Sequence, residues 1–420
     1  MDMQEQKRKS SNNSFFVGLL LGVMITLTLV GIVVLGVLLF NLLTKDSKSP
    51  ENSISNVAEE DDLLVDDAMI QKMAAIEEII DEYYYSNDVE DIDLEEGAYR
   101  GILNAVGDPY TCYYSEEELD KLMQQTSGIY YGIGAHVTYD DTGMYPMILA
   151  PIAGSPAEEV DLRPNDIIYE VNGESTYGMT LDSVVALIKG EEGTTVELTI
   201  VRSTETDYLY VDVERRRVES PTVEWEMLED GMAYIQITEF SDITVQQFAD
   251  ALATAKGSGM KGLILDLRAN PGGSLTSVVN IGRMLLPKGL IVYTEDKYGK
   301  RNEYSSDGKH EFKQPMVVLV DGNSASASEV LAGAIKDYGI GTLVGTTTFG
   351  KGIVQQIVNI RDGSAVKITT SSYYSPKGTN IHGTGIEPDL VCEFDGEAYY
   401  ENDYDNQLEY AKEVLAGMLQ

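Results

Sequence analysis

The chain has 420 residues, 43% hydrophobic and 24% charged, a length that exceeds one compact core and implies two or three domains. Its 30 basic and 69 acidic residues leave a net charge of −39. Such a surface repels phosphate backbones and argues against nucleic acid as a partner, so the acidic excess reads as a solvated exterior.

Residues 1–14 form a short tail carrying Lys7, Arg8 and Lys9. Residues 15–43 contain no charged side chain, and about 20 apolar residues suffice to cross a bilayer as a helix. The basic cluster should remain cytoplasmic, which places the rest of the chain outside. A cleaved signal peptide is the alternative. Its apolar region usually spans about 7–15 residues and ends at a small-residue site, which Asn41-Leu42-Leu43-Thr44-Lys45 does not supply. The expectation is therefore an uncleaved, single-pass anchor in the cell membrane with an extracytoplasmic ectodomain. Gly18 and Gly22 make a small-xxx-small pair, a pattern that favours helix pairing and leaves a homodimer among the expected partnerships.

Residues 44–65 are polar and acidic and read as a linker. From 66 to 126 a helical region is expected: Met69, Met73, Ile76, Ile80 and Tyr83 recur at helical spacing, Leu94, Ala98 and Ile102 mark a second helix, and Ser115 with Glu118 opens a third in a capping-box pattern. From 127 to 214 short β-rich runs alternate with turn signals. They run from Tyr131-Gly132-Ile133-Gly134 through Gly154-Ser155-Pro156-Ala157 and Val171-Asn172-Gly173 to a helix near 181–189 and a strand at Val196–Arg202. In that order of elements the segment resembles a PDZ domain, a peptide-reading module. Backbone N–H groups of the Tyr131–Gly134 turn would then take a peptide's terminal carboxylate, glycine allowing the close approach, and the peptide would add as a strand. A ligand-free β-rich packing domain is the alternative. From 215 to 392 β-type runs alternate with helices, notably Met232–Ile237, 243–257, Gly262–Leu267, 275–286, Met316–Val320, 326–338 and Thr342–Val344, which indicates an α/β core. Residues 393–420 should close with a helical tail.

Cys112 and Cys392 have no metal-ligand spacing and lie in no motif that makes a catalytic thiolate. Free or buried thiols are expected, and their pairing stays open. No cofactor or metal is implied. The three histidines, His136, His310 and His382, lie in no triad context, so a hydrolase would use another base.

The strand at Val317–Val320 runs into Asp321-Gly322-Asn323-Ser324-Ala325-Ser326-Ala327-Ser328-Glu329. A serine at a strand-to-helix turn is well exposed, and a helix N-terminus favours negative charge. Helix capping by Ser324, Ser326 or Ser328 is the competing explanation. Further on come Leu267-Arg268-Ala269-Asn270-Pro271-Gly272-Gly273, Thr348-Phe349-Gly350-Lys351-Gly352 with Gln355, Tyr374-Ser375-Pro376-Lys377-Gly378, and Ile381-His382-Gly383-Thr384-Gly385. Together these motifs closely resemble the carboxyl-terminal processing peptidases, or tail-specific proteases, over about 66–392.

The resemblance implies a ClpP/crotonase-like α/β catalytic core with an inserted β-rich PDZ domain. It implies a membrane-anchored serine endopeptidase acting through an acyl-enzyme on extracytoplasmic polypeptides, recognised through their C-termini. It casts Ser326 as nucleophile, Lys351 as general base, Gln355 as the residue positioning the lysine, and the N–H groups of Ala327 and Gly272 as oxyanion hole, with Gly273 adjacent to the glycine chosen. Lys189 stands where some members carry an arginine that senses the bound carboxylate. An ordinary helix-end lysine is the equal alternative, and lysine lacks the bidentate fork. A free lysine has a pKa near 10.4, and burial, here expected among Phe349 and the flanking glycines, lowers it toward a usable base. Two rival readings are a non-catalytic PDZ scaffold on an inactive peptidase fold and a hydrolase or isomerase of small acyl substrates. The intact Ser326, Lys351 and Gln355 speak against the first, and the PDZ-like segment against the second.

Overall fold

The computed structural model describes residues 65–85 and 93–420. The expected membrane span, 15–43, lies outside the described residues, and no helix among them is long and apolar enough to cross a bilayer. Asp67–Tyr83 forms a helix by itself, capped by the Asp66 carboxylate accepting from the Met69 N–H at 2.8 Å, and it buries none of its residues.

Residues 93–420 form a separate compact unit. Its centre is a six-stranded sheet in the order Val223–Met227, Met232–Ile237, Gly262–Asp266, Met316–Val320, Thr342–Gly345, Leu390–Val391, parallel except for the first pair. Period-two alternation assigns its two faces. Leu263, Leu265, Val318 and Val320 pack on helices Thr244–Gly257, Leu275–Leu285 and Ala327–Tyr338. Ile264, Val317 and Leu319 face Ala411 and Leu415 of the C-terminal helix, Asn406–Leu419. That helix is thus a layer of the core rather than a tail. Full burial of a leucine such as Leu415 contributes about 1.5–3 kcal/mol.

A second sheet, antiparallel, carries Ile353–Asn359 and Gly289–Asp296 on either side of Ala365–Tyr374, with Arg301–Ser306 beyond and Cys112–Tyr114 pairing with the opposite end of Ala365–Tyr374. Simple α/β alternation does not anticipate it. Cys112–Tyr114 also departs from the helical region expected over 66–126: this segment donates a strand to the second sheet. Ser115 nevertheless caps Glu116–Ser127 in a true capping box, its Oγ accepting from the Glu118 N–H at 3.3 Å while Glu118 Oε2 accepts from the Ser115 N–H at 3.0 Å.

The β-rich segment forms a sheet in the order Ala135–Tyr139, Pro146–Pro151, Ile167–Val171, Thr195–Val201, Leu209–Glu214, around its own apolar core of Ile133, Ile148, Ile168, Val184, Leu198 and Ile200. Among the described residues Ala135–Tyr139 pairs on one side only, which leaves an open edge beside helix Leu181–Ile188. Two short strands, Ile129–Gly132 and Arg216–Glu219, pair where the chain enters and leaves this unit.

Candidate active site

The strand Met316–Val320 delivers the turn 321–326 to the start of helix Ala327–Tyr338. Ser326 holds φ 53° and ψ −110°, a conformation rarely adopted outside glycine. Strain of this kind persists only where its surroundings over-determine it. Ser324 Oγ donates to the Leu267 carbonyl at 2.8 Å, and Ser328 Oγ donates to the Asn270 carbonyl at 3.0 Å. Both hydroxyls are buried and committed to fastening the turn to the loop 267–273. The Ser326 hydroxyl donates to no acceptor among the described residues, its oxygen standing at the helix N-cap toward the Glu329 N–H, and Ser326 lines a cavity of about 410 Å³. Packing therefore separates three serines that a capping argument leaves equivalent.

Lys351, Gln355, Ala327 and Gly272 line the same cavity. Glu329, 1% exposed, ties the site together. Its Oε2 accepts from the Ser326 N–H at 2.8 Å and the Lys351 N–H at 2.9 Å. Its Oε1 accepts from Thr348 Oγ1 at 2.6 Å and the Gly350 N–H at 2.7 Å. Tyr373 completes the wall, its hydroxyl donating to the Ser326 carbonyl at 3.0 Å. Burial and the Glu329 carboxylate hold that phenol protonated.

The Lys351 ammonium lies 4.6 Å from the centroid of the Tyr110 ring and forms no ion pair among the described residues. Burial pushes its pKa below the usual lysine range, and the Lys367 charge adds to this against an opposing pull from Asp108. Phe349 is not its cover: that ring is 56% exposed, because the apolar wall comes from Tyr110 instead. Gln355 does not reach the lysine amine either. A bulge at Val354/Gln355 sets it opposite Thr369, and its Nε2 donates to Thr369 Oγ1 at 3.3 Å.

The two N–H groups expected to face an oxyanion differ in what they bond. The Ala327 N–H, at the helix start, has no acceptor among the described residues. The Gly272 N–H is already held by Asn270 Oδ1 at 2.9 Å, so it is not a free donor. Gly272 is still pressed against Ser326: a Cβ there would lie 2.8 Å from Ser326 Cβ and 2.9 Å from the Ala327 nitrogen. The adjacent Gly273 N–H has no acceptor among the described residues. Its peptide carbonyl, that of Gly272, accepts from the Phe240 N–H at 2.8 Å, so trans geometry aims the Gly273 N–H away from Phe240.

Of the expected carboxylate turn, Tyr131 and Gly132 are strand residues paired with Arg217 and Arg216. Only Ile133 and Gly134 turn, and their N–H groups have no acceptor among the described residues. The space beside Gly134 belongs to Ser155: a Cβ would meet Ser155 Cβ at 2.4 Å, and Ser155 Oγ donates to the Gly134 carbonyl at 2.8 Å. The missing side chain of Gly134 therefore serves a turn at φ 75° and packing on Ser155. Lys189 lies over the Tyr130 ring at 5.2 Å, and burial, with Lys121 nearby, lowers its pKa. It caps the helix beside Gly132 rather than extending into solvent.

Glu329, Tyr110, Asp108 and Lys367 belong to this site and carry no role in the motif reading. The Ser-x-x-Glu spacing from Ser326 to Glu329 is the sequence signal for the first. No local signal marks the other three: Lys367 lines the cavity from its own strand, and the turn ahead of Cys112–Tyr114 brings Tyr110 and Asp108 near Lys351.

The profile of peptidase family S41 matches residues 231–392, a PDZ-domain profile matches 147–202, and the profile of the activating protease CtpB N-terminal domain matches 33–118. Carboxy-terminal processing protease CtpA of Bacillus subtilis (strain 168) is 36% identical over 320 residues, covering 76% of this chain and 68% of that protein. Carboxy-terminal processing protease CtpB of the same organism is 36% identical over 358 residues, covering 84% and 73%. A probable CtpA-like serine protease of Staphylococcus aureus (strain bovine RF122 / ET3-1) is 36% identical over 332 residues, covering 78% and 66%.

Proposed function

The chain belongs to peptidase family S41, among the carboxy-terminal processing proteases, and from that premise we propose that it cuts by a Ser–Lys acyl-enzyme mechanism with Ser326 as nucleophile and Lys351 as base. The observation that carries this reading is the fate of the three serines: Ser324 and Ser328 donate their hydroxyl protons to buried carbonyls, whereas Ser326 donates to no acceptor among the described residues and lines the cavity that Lys351 lines. Neutral Lys351 takes the hydroxyl proton as Ser326 Oγ attacks the scissile carbonyl. Lys351 then passes that proton to the departing amine, and water hydrolyses the ester. The Ala327 N–H and the free N–H of Gly273 meet the oxyanion; each such donor is worth about 2.7–4 kcal/mol. Gln355 acts on the lysine through Thr369 and the strand that carries it.

The PDZ domain takes the free C-terminus of a polypeptide along the open edge Ala135–Tyr139, with its carboxylate at the Ile133 and Gly134 N–H groups. Residues 15–43 anchor the enzyme with its catalytic domain outside the cytoplasm. Helix Asp67–Tyr83, which exposes Ile70, Met73, Ile76 and Ile79, supports self-association into a homodimer. The catalytic reading is tested with the full chain in detergent and fluorescein-labelled casein. Ser326→Ala and Lys351→Ala should each abolish cleavage, while Ser324→Ala and Ser328→Ala retain part of it. Equal cleavage by Ser326→Ala and the parent would overturn the assignment.

A further inference from the structure

The turn Asp108–Thr111 lies outside the segment that supplies the nucleophile and base, yet it reaches them. Asp108 Oδ1 accepts from the Tyr110 N–H at 3.0 Å, and its Oδ2 accepts from Thr111 Oγ1 at 2.6 Å. Thr111 Oγ1 in turn accepts from the Thr369 N–H at 3.2 Å, on the strand whose Thr369 hydroxyl holds Gln355. The strand Cys112–Tyr114 follows at once and pairs with Ala365–Lys367. Tyr110 is thereby fixed with its ring face toward Lys351 Nζ, 4.6 Å from the centroid.

We propose that Tyr110 is a positioning residue for the reaction: its ring face is the seat of the Lys351 ammonium. The proposal rests on the reading of Lys351 as the base. A general-base lysine is neutral before proton transfer and cationic after it. No carboxylate among the described residues pairs with Lys351, so the cation needs another partner while Ser326 is acylated. An aromatic face attracts ammonium but not free amine. Burial and Lys367 favour the amine, whereas Tyr110 and Asp108 favour the ammonium. Carboxylate pairing would hold the proton too tightly; a ring offers a weaker and purely charge-dependent hold. Proton transfer moves H⁺ from Ser326 Oγ to Lys351 Nζ as the Oγ–C bond forms, and the ring stabilises the charge so created.

The test uses the full chain in detergent and the pH dependence of kcat/KM on fluorescein-labelled casein. The parent should show a rising limb as Lys351 loses its proton. Tyr110→Leu should move that limb down by about 0.5–1.5 pH units and lower the plateau about two- to tenfold. Tyr110→Phe, which keeps the ring face, should leave the limb in place. Should Tyr110→Leu fail to fold, phenylalanine with increasing ring fluorination at position 110 keeps the shape and weakens the face, and the limb should fall stepwise. A limb that stays fixed across Leu or the fluorinated series overturns the proposal. Lys351→Ala separates the two readings. If it keeps the parent's rate and limb, Lys351 is not the base and both readings fall; if it is inactive while Tyr110→Leu leaves the limb unmoved, only the role of Tyr110 falls.

Discussion

Ser326 and Lys351 donate their backbone N–H groups to one and the same oxygen, Oε2 of Glu329, at 2.8 and 2.9 Å. A buried carboxylate thus sets the spacing of Ser326 and Lys351 through the main chain, without touching the Ser326 hydroxyl or the Lys351 amine. A carboxylate only accepts, and all four of its neighbours here donate. Glu329→Gln would turn an NH₂ group against two of them. The variant should lose at least about tenfold in kcat, which is about 1.4 kcal/mol of barrier, with KM little changed. Its Tm should fall as buried charged hydrogen bonds, worth about 1.5–3 kcal/mol each, are lost. Steady-state kinetics and thermal unfolding check both.

The charges around Lys351 predict shifts of opposite sign. Lys367 and burial lower its pKa, and Asp108 raises it. With Lys351 as the proposed base, neutral lysine is the active form, so activity should rise with pH through the lysine pKa. Removing a neighbouring cation with Lys367→Met raises that pKa and should carry the limb to higher pH. Asp108→Asn removes an anion and should carry it lower. Rate–pH profiles of the two variants and the parent measure this directly.

Carboxylate recognition by the PDZ domain is best tested on the ligand. Gly134 packs on Ser155, so any larger residue there would disturb the fold before it disturbed binding. Matched peptides with a free or amidated C-terminus differ only in charge and one acceptor. The free acid should be cut with the lower KM, and equal KM values would mean that the Ile133 and Gly134 N–H groups do not read a carboxylate.

The C-terminal helix should prove essential to stability. Leu415 is fully buried against Ile264 and its neighbours, and Leu415→Ala should cost about 2–5 kcal/mol. Arg268 joins Asp266, 0% exposed, to Asp405 ahead of that helix, with Nη2 distances of 2.6 and 2.8 Å. Arg268→Met leaves Asp266 without its cation and should cost about 3–5 kcal/mol. Chemical denaturation of each variant gives the comparison.

Much of this was legible in the chain. Met316–Val320 and Met232–Ile237 are apolar runs between turn signals, and Ser115 and Glu118 announce a helix start, because each depends on nearest neighbours alone. Ala365–Tyr374 was not legible: it reads Ala-Val-Lys-Ile-Thr-Thr-Ser-Ser-Tyr-Tyr, and only its sheet partners make it a strand. The same cause hid Tyr110, whose position depends on Cys112–Tyr114 pairing with a strand far along the chain. Gly272 was misjudged as a free donor because a side-chain acceptor two residues earlier, Asn270, cannot be told from a surface asparagine without its burial at 0% exposure.

The central claim is that Ser326 is acylated with Lys351 as its base. The most direct measurement is peptide mass spectrometry of the full chain after reaction with a fluorophosphonate, comparing the parent with Lys351→Ala. A single adduct localised by fragmentation to Ser326, forming rapidly in the parent and at a rate lowered by orders of magnitude in Lys351→Ala, is the predicted result. An adduct on Ser324, Ser328 or another residue, or an unchanged rate in Lys351→Ala, would contradict it.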